Sequence, residues 1–592
     1  MRAHGLPEGE IAARTAVAVD RMHRFPPPLD RTAASIFGAV DRLGPLLTLG
    51  TLKPAHQLDD EAFHAFDRRL AHHTNPYVRA LWVLTRFTPM AARYPDPGPA
   101  TAGHHPLDAL LPQIRRSRAH QERIWDVVVI GSGAGGAPLA RALAQAGRSV
   151  CILEKGALVR PTTTDLAIER HYVSQGMVGS VRGMPLLFAG EAVGGTTVIN
   201  SGTSFPTPAA RLAAWDQQAG THFVDLLPRY QQLALDHMGV RPSDRSVLDA
   251  SAFVLERGLA ALGHGESFVL PRNAPDCRGA GRCCFGCPNG AKQSTDRSYL
   301  PDAVTAGAAL WWETTATEIR ETTDGVEIVV RGEEGRRILR ARTLVLAGGA
   351  LSTPHLIRTN HLGSHWRAAG DNLRIHPATK VFARMPEALP EGGVPQGLGY
   401  RTPRLPRLMF EGVHTPASAA APMISASGDR HRWWMAQYEH LATFGVMARD
   451  RSTGRIRGDG LTRILDYRLH GDDARDLGAG VLLLAEALFR AGAERVLLPL
   501  AVGEPEVGSL DSLRTRSPEE FTPNTLMTSA FHPHGTAAVG RVVDPDLRLM
   551  GSERIVVADA SVLPDSPGVN PQVTIMGFAL RLAEHLGATV EA

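Results

Sequence analysis

Four of the five cysteines in this chain lie in one short segment, the most unusual grouping of reactive side chains in the sequence. They are Cys277, Cys283, Cys284 and Cys287, and the residues between them are rich in glycine and arginine. Thiolates this close along a chain can converge on one metal ion or one iron–sulfur core, or take part in redox chemistry. The cysteines of a secreted disulfide framework would be more numerous and more widely spaced. The segment therefore predicts a metal, cluster or redox site.

The second chemical signal is the glycine-rich run GSGAGG at residues 131–136. Gly131 allows a tight turn after a strand, Gly133 lets a pyrophosphate approach the backbone, and Gly136 lets the next helix pack closely. Glu154 ends the following apolar run, where a carboxylate accepts hydrogen bonds from an adenosine ribose. These signals agree, so we predict a bound dinucleotide. The acid at this position disfavours the 2′-phosphate of NADP.

The residues around this motif predict the elements that position it. Residues 125–156 have the pattern of a strand, a glycine-rich turn, an amphipathic helix and a second strand. Apolar runs at 325–330, 343–349 and 554–560 predict further strands, and long segments separate them. We therefore expect the nucleotide-binding sheet to be assembled from distant parts of the chain. Cys151 lies in the second strand and is predicted to be an inert core residue.

Composition places the chain among ordinary globular proteins. It has 592 residues, of which 43% are hydrophobic and 21% charged, and its formal net charge is +3. These values exclude a disordered, collagenous or coiled-coil protein, and the interspersed charges predict no nucleic-acid partner. We find neither a signal-peptide core nor a run of about 20 apolar residues that could span a membrane. We expect a cytoplasmic protein, with a peripheral or complex-borne location left open.

Residues 1–122 show helical spacing of apolar residues, notably at 35–49 and 60–73, and proline-rich segments interrupt them. We interpret this region as a helical N-terminal extension that ends in a linker. Its simplest role is to pack against the main body. The alternative is that it docks a partner, such as a small helical subunit.

Five further segments carry a family resemblance. They are GEAVGGTTVIN at 190–200, TLVLAGGALSTPHLI at 343–357, GDNLRIHP at 370–377, FHPHGTAAVG at 531–540 and RIVVADASVLPDSPGVNPQVTIMGFAL at 554–580. With the glycine-rich motif they resemble, in family order, the glucose–methanol–choline (GMC) family of FAD oxidoreductases. One departure is Ile375, which stands where the family usually has aspartate.

The resemblance implies an α/β fold with a Rossmann-like FAD-binding domain and a discontinuous α+β substrate domain of antiparallel sheet and helices. The FAD-binding domain would use residues 123–205, 300–375 and 526–592. The substrate domain would use residues 206–299, with the cysteine-rich loop at 277–292, and residues 376–525. The helical extension, residues 1–122, would lie outside this core.

The resemblance also implies which residues contact FAD. In covalent-flavin members a histidine precedes the asparagine of the first loop, and here that position is Ile199. We therefore expect non-covalent FAD. The residues expected to bind it are Gly131, Gly133, Gly136, Glu154, Gly194, Gly195, Asn200, Asp559, Ala560, Asn570, Pro571 and Gln572.

Oxidation of an alcohol on a flavin needs a base for the hydroxyl proton, a hydride acceptor and a partner for the developing alkoxide. By resemblance, His532 takes the base position and Asn570 takes the neighbouring position, which holds His or Asn in the family. An imidazole suits the first role because its pKa lies near the operating pH. His534 is a nearby competitor at a variable position of the motif.

The cysteine spacing C-x5-C-x3-C-P-x-G-A resembles GMC dehydrogenases for sugars and polyols, which hold a three-iron iron–sulfur cluster on three thiolates. It also resembles long-chain alcohol oxidases, which carry a similar run without an agreed cluster. The first resemblance implies Cys277, Cys283 and Cys287 as ligands and Cys284 as a spare. A zinc on four cysteines, a local disulfide and plain buried thiols stay open, although adjacent cysteines rarely both face one tetrahedral metal.

Residues 408–457 are similar to the corresponding region of long-chain alcohol oxidases, and their Met, Phe and Trp content suits an apolar pocket. Trp433 and Trp434 could equally pack the sheet. We predict FAD-dependent oxidation of a hydrophobic or bulky primary or secondary alcohol, with oxygen, a redox protein or a quinone as electron acceptor. One alternative is a sugar or polyol dehydrogenase that passes electrons through the cluster to a cytochrome or quinone. Another is a flavoprotein electron carrier without a substrate of its own.

Overall fold

The computed structural model describes residues 39–45, 48–71, 73, 104–117, 123–160, 171–176, 178–180, 183–263, 267–390, 392–426, 428–458 and 464–590. Much of the predicted N-terminal extension, including residues 1–38 and 74–103, lies outside the described residues.

The strands are β1 Ile124–Ile130, β2 Val150–Leu153, β3 Val178–Ser180, β4 Gly183–Leu187, β5 Arg241–Pro242, β6 Phe268–Val269, β7 Pro271–Arg272, β8 Ala309–Trp311, β9 Thr315–Glu321, β10 Val326–Gly332, β11 Gly335–Leu346, β12 Ala378–Arg384, β13 Leu398–Tyr400, β14 Leu408–Gly412, β15 Leu441–Ala448, β16 Gly454–Arg457, β17 Ile464–Tyr467, β18 Arg495–Leu497, β19 Glu506–Val507, β20 Ser529–Ala530 and β21 Ile555–Val557.

The α-helices are α1 Asp60–Ala71, α2 Leu111–Ser117, α3 Gly136–Gln145, α4 Thr196–Ile199, α5 Ala209–Ala219, α6 Phe223–His237, α7 Ala250–Ala261, α8 Tyr299–Thr305, α9 Gly349–Thr359, α10 Ala417–Ala420, α11 Gly428–Ala436, α12 Gly471–Arg490, α13 Leu510–Arg514 and α14 Gln572–His585.

A mixed sheet with the strand order β8-β2-β1-β11-β10-β9 forms the nucleotide-binding half, and β21 also pairs with β11. β1 pairs in parallel with β2 and β11, so Val128 lies between Cys151 and Leu344. All residues of β2 are buried, as continuous apolar runs are when helices cover both faces of a parallel sheet. The predicted strand–turn–helix–strand unit and the buried position of Cys151 are confirmed.

The second sheet has the strand order β3-β4-β20-β12-β15-β14-β13-β6, and β18 joins it through β12. Helices α7 and α12 pack on one face of this sheet. Because side chains alternate along a strand, β14 places Leu408 and Phe410 in that helix-covered core and Met409 and Glu411 on the opposite face. The expected α/β fold with a second, largely antiparallel domain is confirmed.

Helix α12 contains the apolar run at 481–489 and buries Val481, Leu484 and Leu488 in the core beside the second sheet. Asp473 near the start of the helix is also buried, where Arg407 pairs with it, whereas Glu486 and Arg490 lie outside the buried face. Among the described helices, none combines the length and the apolarity needed to cross a bilayer.

The described parts of the N-terminal extension pack on the main body. Phe66 and Leu70 of α1 cluster with Leu186 and Phe188, and Leu107 and Ile114 of the α2 region join the core around the first sheet. His105 also makes a buried hydrogen bond to Asp296, with 2.9 Å between Nε2 and Oδ2. For these residues the packing role is confirmed.

Each sheet is assembled from separated parts of the chain. The first takes strands from 124–153, 309–346 and 555–557, and the second from 178–187, 268–269, 378–507 and 529–530. The domain boundaries stay predictions, although β3 and β4, which lie inside the segment assigned to the FAD-binding domain, pair within the second sheet.

Candidate active site

The glycine-rich turn after β1 is packed against backbone from two directions. A Cβ on Gly135 would lie 1.6 Å from the carbonyl oxygen of Ala558, and one on Gly136 would lie 2.0 Å from that of Gly131. By contrast, a Cβ on Gly133 would meet nothing nearer than the Cα of Gly195, at 3.8 Å. Bare backbone therefore lines both sides of a narrow space, which fits the close approach of a pyrophosphate at a helix N-terminus.

Glu154 lies at the carboxyl end of β2, beside this turn. Its carboxylate accepts hydrogen bonds from the Ser132 amide at 3.1 Å, the Ser132 hydroxyl at 2.6 Å and the Gly156 amide at 2.8 Å. Burial raises the pKa of Glu154, while these hydrogen bonds oppose the rise. Two carboxylate oxygens offer about four acceptor positions, so capacity remains for a ribose hydroxyl.

Asp559 follows β21 at the same edge of the sheet. It accepts hydrogen bonds from the Gly349 amide at 2.8 Å, the Ser561 amide at 2.8 Å and the Thr353 hydroxyl. The carboxylate thereby joins the turn before α9 to the chain after β21. Ligands of open parallel sheets bind at this carboxyl edge, where the sequence placed both acids.

The loop at residues 190–200, here called the first flavin loop, contacts the segment at residues 554–580, here called the C-terminal flavin segment. The Asn200 side-chain amide donates to Oε1 of Gln572, and its oxygen accepts from the Gly202 amide at 3.0 Å. Asn570 and Pro571 stand immediately before α14. The structure therefore brings together predicted FAD-binding residues that are distant in sequence.

His532 follows β20 and faces a histidine to which the sequence assigned no role. Nδ1 of His532 lies 3.3 Å from Nδ1 of His376, and Nε2 of His376 accepts from the Gly568 amide at 3.2 Å. Because that nitrogen accepts, the proton of neutral His376 resides on Nδ1 and is donated to His532. His376 thus connects His532 to the loop that carries Asn570.

The same contacts determine which ring nitrogen of His532 carries the proton. Its Nδ1 accepts from His376, so neutral His532 carries its own proton on Nε2. Burial, with a smaller contribution from nearby His534, lowers the pKa of His532 to about 3. The imidazole is therefore neutral over the physiological range and presents an N–H group.

Asn570 contacts a buried carboxyl group of the second sheet. Its Nδ2 donates to Oε2 of Glu411 at 3.4 Å, and Nε2 of Gln396 donates to the same oxygen at 2.5 Å. Burial raises the pKa of Glu411 to about 7, against the effects of Asn570 and Arg401. Over the described residues, Oε1 of Glu411 and Oδ1 of Asn570 have no hydrogen-bond partner.

His534, the competitor of His532, is fully buried and donates from Nδ1 to the carbonyl of His532 at 2.7 Å. With His376 and Asp450 it forms a cluster whose ligand-type atoms lie within 4.8 Å of one another. Asp450 is already an acceptor for the Ile375 amide and for two hydroxyls, those of Tyr467 and Ser566. Both histidines of this cluster hydrogen-bond to His532, so we interpret the cluster as holding His532 in place.

The cysteine loop surrounds two buried cations. The Arg272 guanidinium lies 3.0 Å from Sγ of Cys283 and 3.8 Å from Sγ of Cys277. Nζ of Lys292 donates to the carbonyls of Val198, Asn200 and Cys283 at 2.6, 2.7 and 2.8 Å. Burial raises the pKa of the Cys283 thiol and the two cations oppose the rise. Lys292 thereby ties the loop to the end of the first flavin loop.

The four loop thiols have three different surroundings, because Cys277 and Cys283 both face the Arg272 guanidinium. Cys284 faces Ser201, with 3.4 Å between Sγ and Oγ, while Cys287 lines a small cavity with His105 and Asp296. All five cysteines are free thiols. Zinc holds sulfurs at about 2.3 Å and so needs them roughly 3.8 Å apart. Across the described part of the chain no three of these sulfurs lie within 4.8 Å of one another, so neither the disulfide nor the zinc geometry is present.

Sequence reasoning missed four residues of this region: His376, Glu411, Arg272 and Lys292. Signals existed for two of them. Glu411 is a carboxylate inside an apolar strand, and buried charges require partners. Lys292 is one of only four lysines in a chain with 63 Lys and Arg residues. His376 lies in the segment 370–377 that carries the family resemblance, but neither that segment nor the sequence around Arg272 indicates their contacts, because the partners lie far away in the chain.

Comparison with known families agrees with this geometry. Two family models described as GMC oxidoreductase match residues 168–378 and 450–579, and one described as FAD binding domain matches residues 126–167. Together they cover well over half of the chain.

Individual proteins show the same relationship. An uncharacterised GMC-type oxidoreductase of Mycobacterium tuberculosis is 34% identical over 486 residues, 78% of this chain and 76% of that protein. A long-chain-alcohol oxidase of Arabidopsis thaliana is 27% identical over 516 residues, 78% of this chain and 68% of that protein. The crystal structure of pyridoxine 4-oxidase from Mesorbium loti shares the fold, with a TM-score of 0.60 at 18% identity, covering 78% of this chain and 99% of that one. The chain belongs to the GMC family of FAD-dependent oxidoreductases.

Proposed function

We propose that this enzyme oxidises a hydrophobic primary or secondary alcohol to the aldehyde or ketone. The observation that carries the proposal is the bridge made by His376, which hydrogen-bonds to His532 and to the loop of Asn570. It holds the two residues expected at the alcohol oxygen in one polar cluster. An electron carrier without a substrate would have no need of this arrangement.

FAD, when bound, supplies the acceptor for the carbinol hydride. The residues that would hold it are those at the carboxyl edge of the first sheet, including Gly133, Gly195 and Glu154. His532 and Asn570 would contact the alcohol oxygen, with His532 assisting removal of the hydroxyl proton. Because Ile199 offers no nucleophile at the covalent-flavin position, we propose that FAD is held non-covalently.

The apolar surroundings favour a hydrophobic alcohol. Phe531, next to His532, stacks on Phe188 with 5.2 Å between ring centroids, and Met409 and Met447 lie on the flavin-side face of the second sheet. Apolar walls with a few polar groups are typical of sites for hydrophobic ligands. The likeness to a long-chain-alcohol oxidase supports the same substrate class.

The test is reduction of the bound flavin by alcohols under anaerobic conditions, followed by absorption. We expect His532→Ala to slow reduction by roughly 10²–10⁴-fold, because it removes the imidazole from the alcohol oxygen. His365→Ala, which removes an exposed histidine elsewhere, is the matched control and should behave as wild type. Wild-type rates in His532→Ala would overturn the assignment. Rapid reoxidation of the reduced flavin by oxygen would indicate an oxidase. Turnover only with dyes or a cytochrome would indicate a dehydrogenase.

A second proposal concerns the cysteine loop, where the buried cations Arg272 and Lys292 favour an anionic sulfur group. An iron–sulfur cluster, of the three-iron type, would be held by Cys277, Cys283 and Cys287 and would supply a one-electron acceptor beside the flavin loop. This supports the alternative of a sugar or polyol dehydrogenase that feeds a cytochrome or quinone. Iron and acid-labile sulfide in anaerobically prepared protein test it. We expect wild type to contain both iron and sulfide, Cys283→Ser to lose them and Cys151→Ser to retain them. Wild-type protein without iron would contradict the cluster proposal.

A further inference from the structure

We propose that Lys380 binds a carboxylate group of the substrate, so that the alcohol oxidised is an apolar hydroxy acid. The inference rests on the proposed alcohol oxidation and names its substrate class. It starts from a buried ammonium group in the second sheet that no sequence motif indicated.

Lys380 lies in the middle of β12, with its side chain on the flavin-side face of the second sheet. Its neighbours Val381 and Ala383 belong to the core beneath helices α7 and α12, and side chains alternate along a strand. In agreement with this alternation, Nζ of Lys380 lies 4.9 Å from the ring centroid of Phe382, two residues further on. The strand therefore carries a cation on the face that also bears Met409 and Met447.

The same face carries the residues expected at the alcohol. Across the sheet, Lys380 pairs with Gly445, and Gly445 pairs with Glu411. The carboxyl group of Glu411 in turn contacts Asn570 of the C-terminal flavin segment. Because Gly445 has no side chain, no β15 side chain separates the ammonium group from this end of the site.

Strand geometry gives the interval between the alcohol and the ammonium group. Ala378 pairs with Ser529, and His532 follows shortly after Ser529. Lys380 lies two residues beyond Ala378 on β12, which corresponds to about 7 Å. A substrate with its hydroxyl at His532 would therefore need a chain of about six carbon atoms to bring a carboxylate to Lys380.

The ammonium group lacks the counter-charge that usually accompanies a buried lysine. Lys380 is only 8% exposed, and its Nζ donates to Oγ1 of Thr415 at 3.1 Å. In the described part of the chain no carboxylate forms an ion pair with it. An ammonium has three N–H donors, and buried charges are normally paired because an unpaired one is costly. A bound anion would complete this site.

The groups around the ammonium group leave this need unmet. The pKa of His414, which follows β14, is lowered to about 4, mainly by burial and also by Lys380, so this imidazole is neutral. The Tyr438 hydroxyl donates to the carbonyl of Thr415. Burial lowers the pKa of Lys380 to about 7, and Cys284 of the cysteine loop opposes that shift. A bound carboxylate would favour the charged form of Lys380 in the same way.

The surroundings suit a carboxylate attached to a hydrocarbon chain. Ala378, Met409 and Met447 form part of an apolar cluster on this face, as expected for a site that binds hydrocarbon. A phosphate dianion would bring a second charge, and no second cation adjoins Nζ among the described residues. One ammonium group is matched by one carboxylate, whose two oxygens accept charge-assisted hydrogen bonds.

The test uses the FAD-loaded enzyme and ligands that differ in charge. Hexanoate, octanoate and decanoate have a carboxylate and no hydroxyl group, and their methyl esters are uncharged. Binding is followed by the shift of the flavin absorption spectrum. In wild type we expect the best acid to bind roughly 10–100-fold more tightly than its ester, because it gains a charge-assisted hydrogen bond. Esters that bind as tightly as the acids at every chain length would overturn the role of Lys380.

Lys380→Met keeps the length of the side chain and removes its charge. We expect this variant to bind acids no better than esters. Its KM for 6-hydroxyhexanoate should rise roughly 10–100-fold with little change in kcat, and its KM for hexan-1-ol should stay at the wild-type value, because the charge acts on binding alone. Lys53→Met, which removes an exposed lysine of the N-terminal segment, is the matched control and should behave as wild type.

A second cation near this face provides the competing explanation. Arg401, just after β13, is exposed and donates from Nε to Sδ of Met409 at 3.0 Å. Arg401→Met should retain the preference for acids over esters. If Arg401→Met loses that preference and Lys380→Met keeps it, the carboxylate binds at Arg401 and the assignment to Lys380 is wrong.

The carboxylate site and the proposed oxidation can fail separately. If acids bind more tightly than esters through Lys380 but no alcohol or hydroxy acid reduces the flavin, the oxidation fails and the carboxylate site stands. If hexan-1-ol reduces the flavin and acids gain nothing over esters, the oxidation stands and the carboxylate site fails. If Lys380→Met does not retain FAD, the wild-type comparison and Arg401→Met decide.

Discussion

Buried polar atoms are hydrogen-bonded differently in two regions of the molecule. One is the carboxyl edge of the first sheet around Glu154 and Asp559, here called the cofactor edge, and the other is the face of the second sheet that carries Met409 and Glu411, here called the reaction face. At the cofactor edge, Glu154 and Asp559 are each held by three hydrogen bonds from the chain itself. On the second sheet, Glu411 and Asn570 each keep one buried oxygen without a partner among the described residues. The two acids of the cofactor edge are thus held in place by protein groups, with acceptor capacity left over, whereas the oxygens of Glu411 and Asn570 have no protein partner in the described part of the chain.

This difference has an energetic meaning. Hydrogen-bonded carboxylates at strand ends stabilise the loops that they join, so the cofactor edge is shaped before any ligand arrives. Unpaired buried acceptors destabilise the fold by about 1–3 kcal/mol each and persist where function requires them. We therefore expect mutations at the two places to have effects of different kind as well as of different size.

The largest effect should come from closing the cofactor edge. Gly135→Ala would place a Cβ 1.6 Å from the Ala558 carbonyl oxygen, so the turn and the strand end must separate. We expect loss of bound FAD and a destabilisation above about 3 kcal/mol, measured by flavin content and melting temperature. Gly508→Ala, where a Cβ meets nothing within 4 Å, is the control. A wild-type FAD content in Gly135→Ala would contradict this prediction, because the turn would then have moved away from the Ala558 carbonyl without losing the cofactor.

An effect of a different kind, without loss of FAD, should appear as a pH dependence of stability. Burial raises the pKa of Asp249 from 3.8 to about 7, so its protonated form is favoured in the fold. Its contribution is full below about pH 4 and is lost as pH rises through 7, a change of roughly 4 kcal/mol. We expect Asp249→Asn to melt at a higher temperature than wild type at pH 8, with the difference vanishing at acid pH.

This result sharpens the comparison. Glu411→Gln should show the same melting behaviour as Asp249→Asn, because burial acts on both carboxyl groups. Only Glu411→Gln should alter alcohol binding. If both variants alter it, an unpaired buried oxygen in this domain is a general feature of the fold and does not mark the reaction face.

The sequence signals for the cofactor edge are local. Each signal occupies only a few residues: the glycines at 131–136, the acid that ends β2, and the strand before Asp559. The reaction face could not be predicted in this way. Glu411 meets Asn570 across 159 positions of the chain and His376 meets His532 across 156, contacts that only sheet pairing creates.

The cysteine loop was only partly predictable from the sequence. Its composition predicted a special site, but the buried cations that surround Cys283 could not be foreseen, because Arg272 reaches it from β7 and Lys292 from the end of the loop. Likewise, β3 pairs with β4 and β4 pairs with β20, so residues that a motif-based division assigns to the FAD-binding domain belong to the second sheet.

The aromatic stack beside the reaction face has an evolutionary consequence. Helix α1 of the appended N-terminal segment packs on Phe188, whose ring stacks on Phe531, the residue before His532. Substitutions in α1 can therefore reshape the wall next to the catalytic residues without touching any group at the cofactor edge. Evolution can therefore vary this wall independently of the cofactor edge.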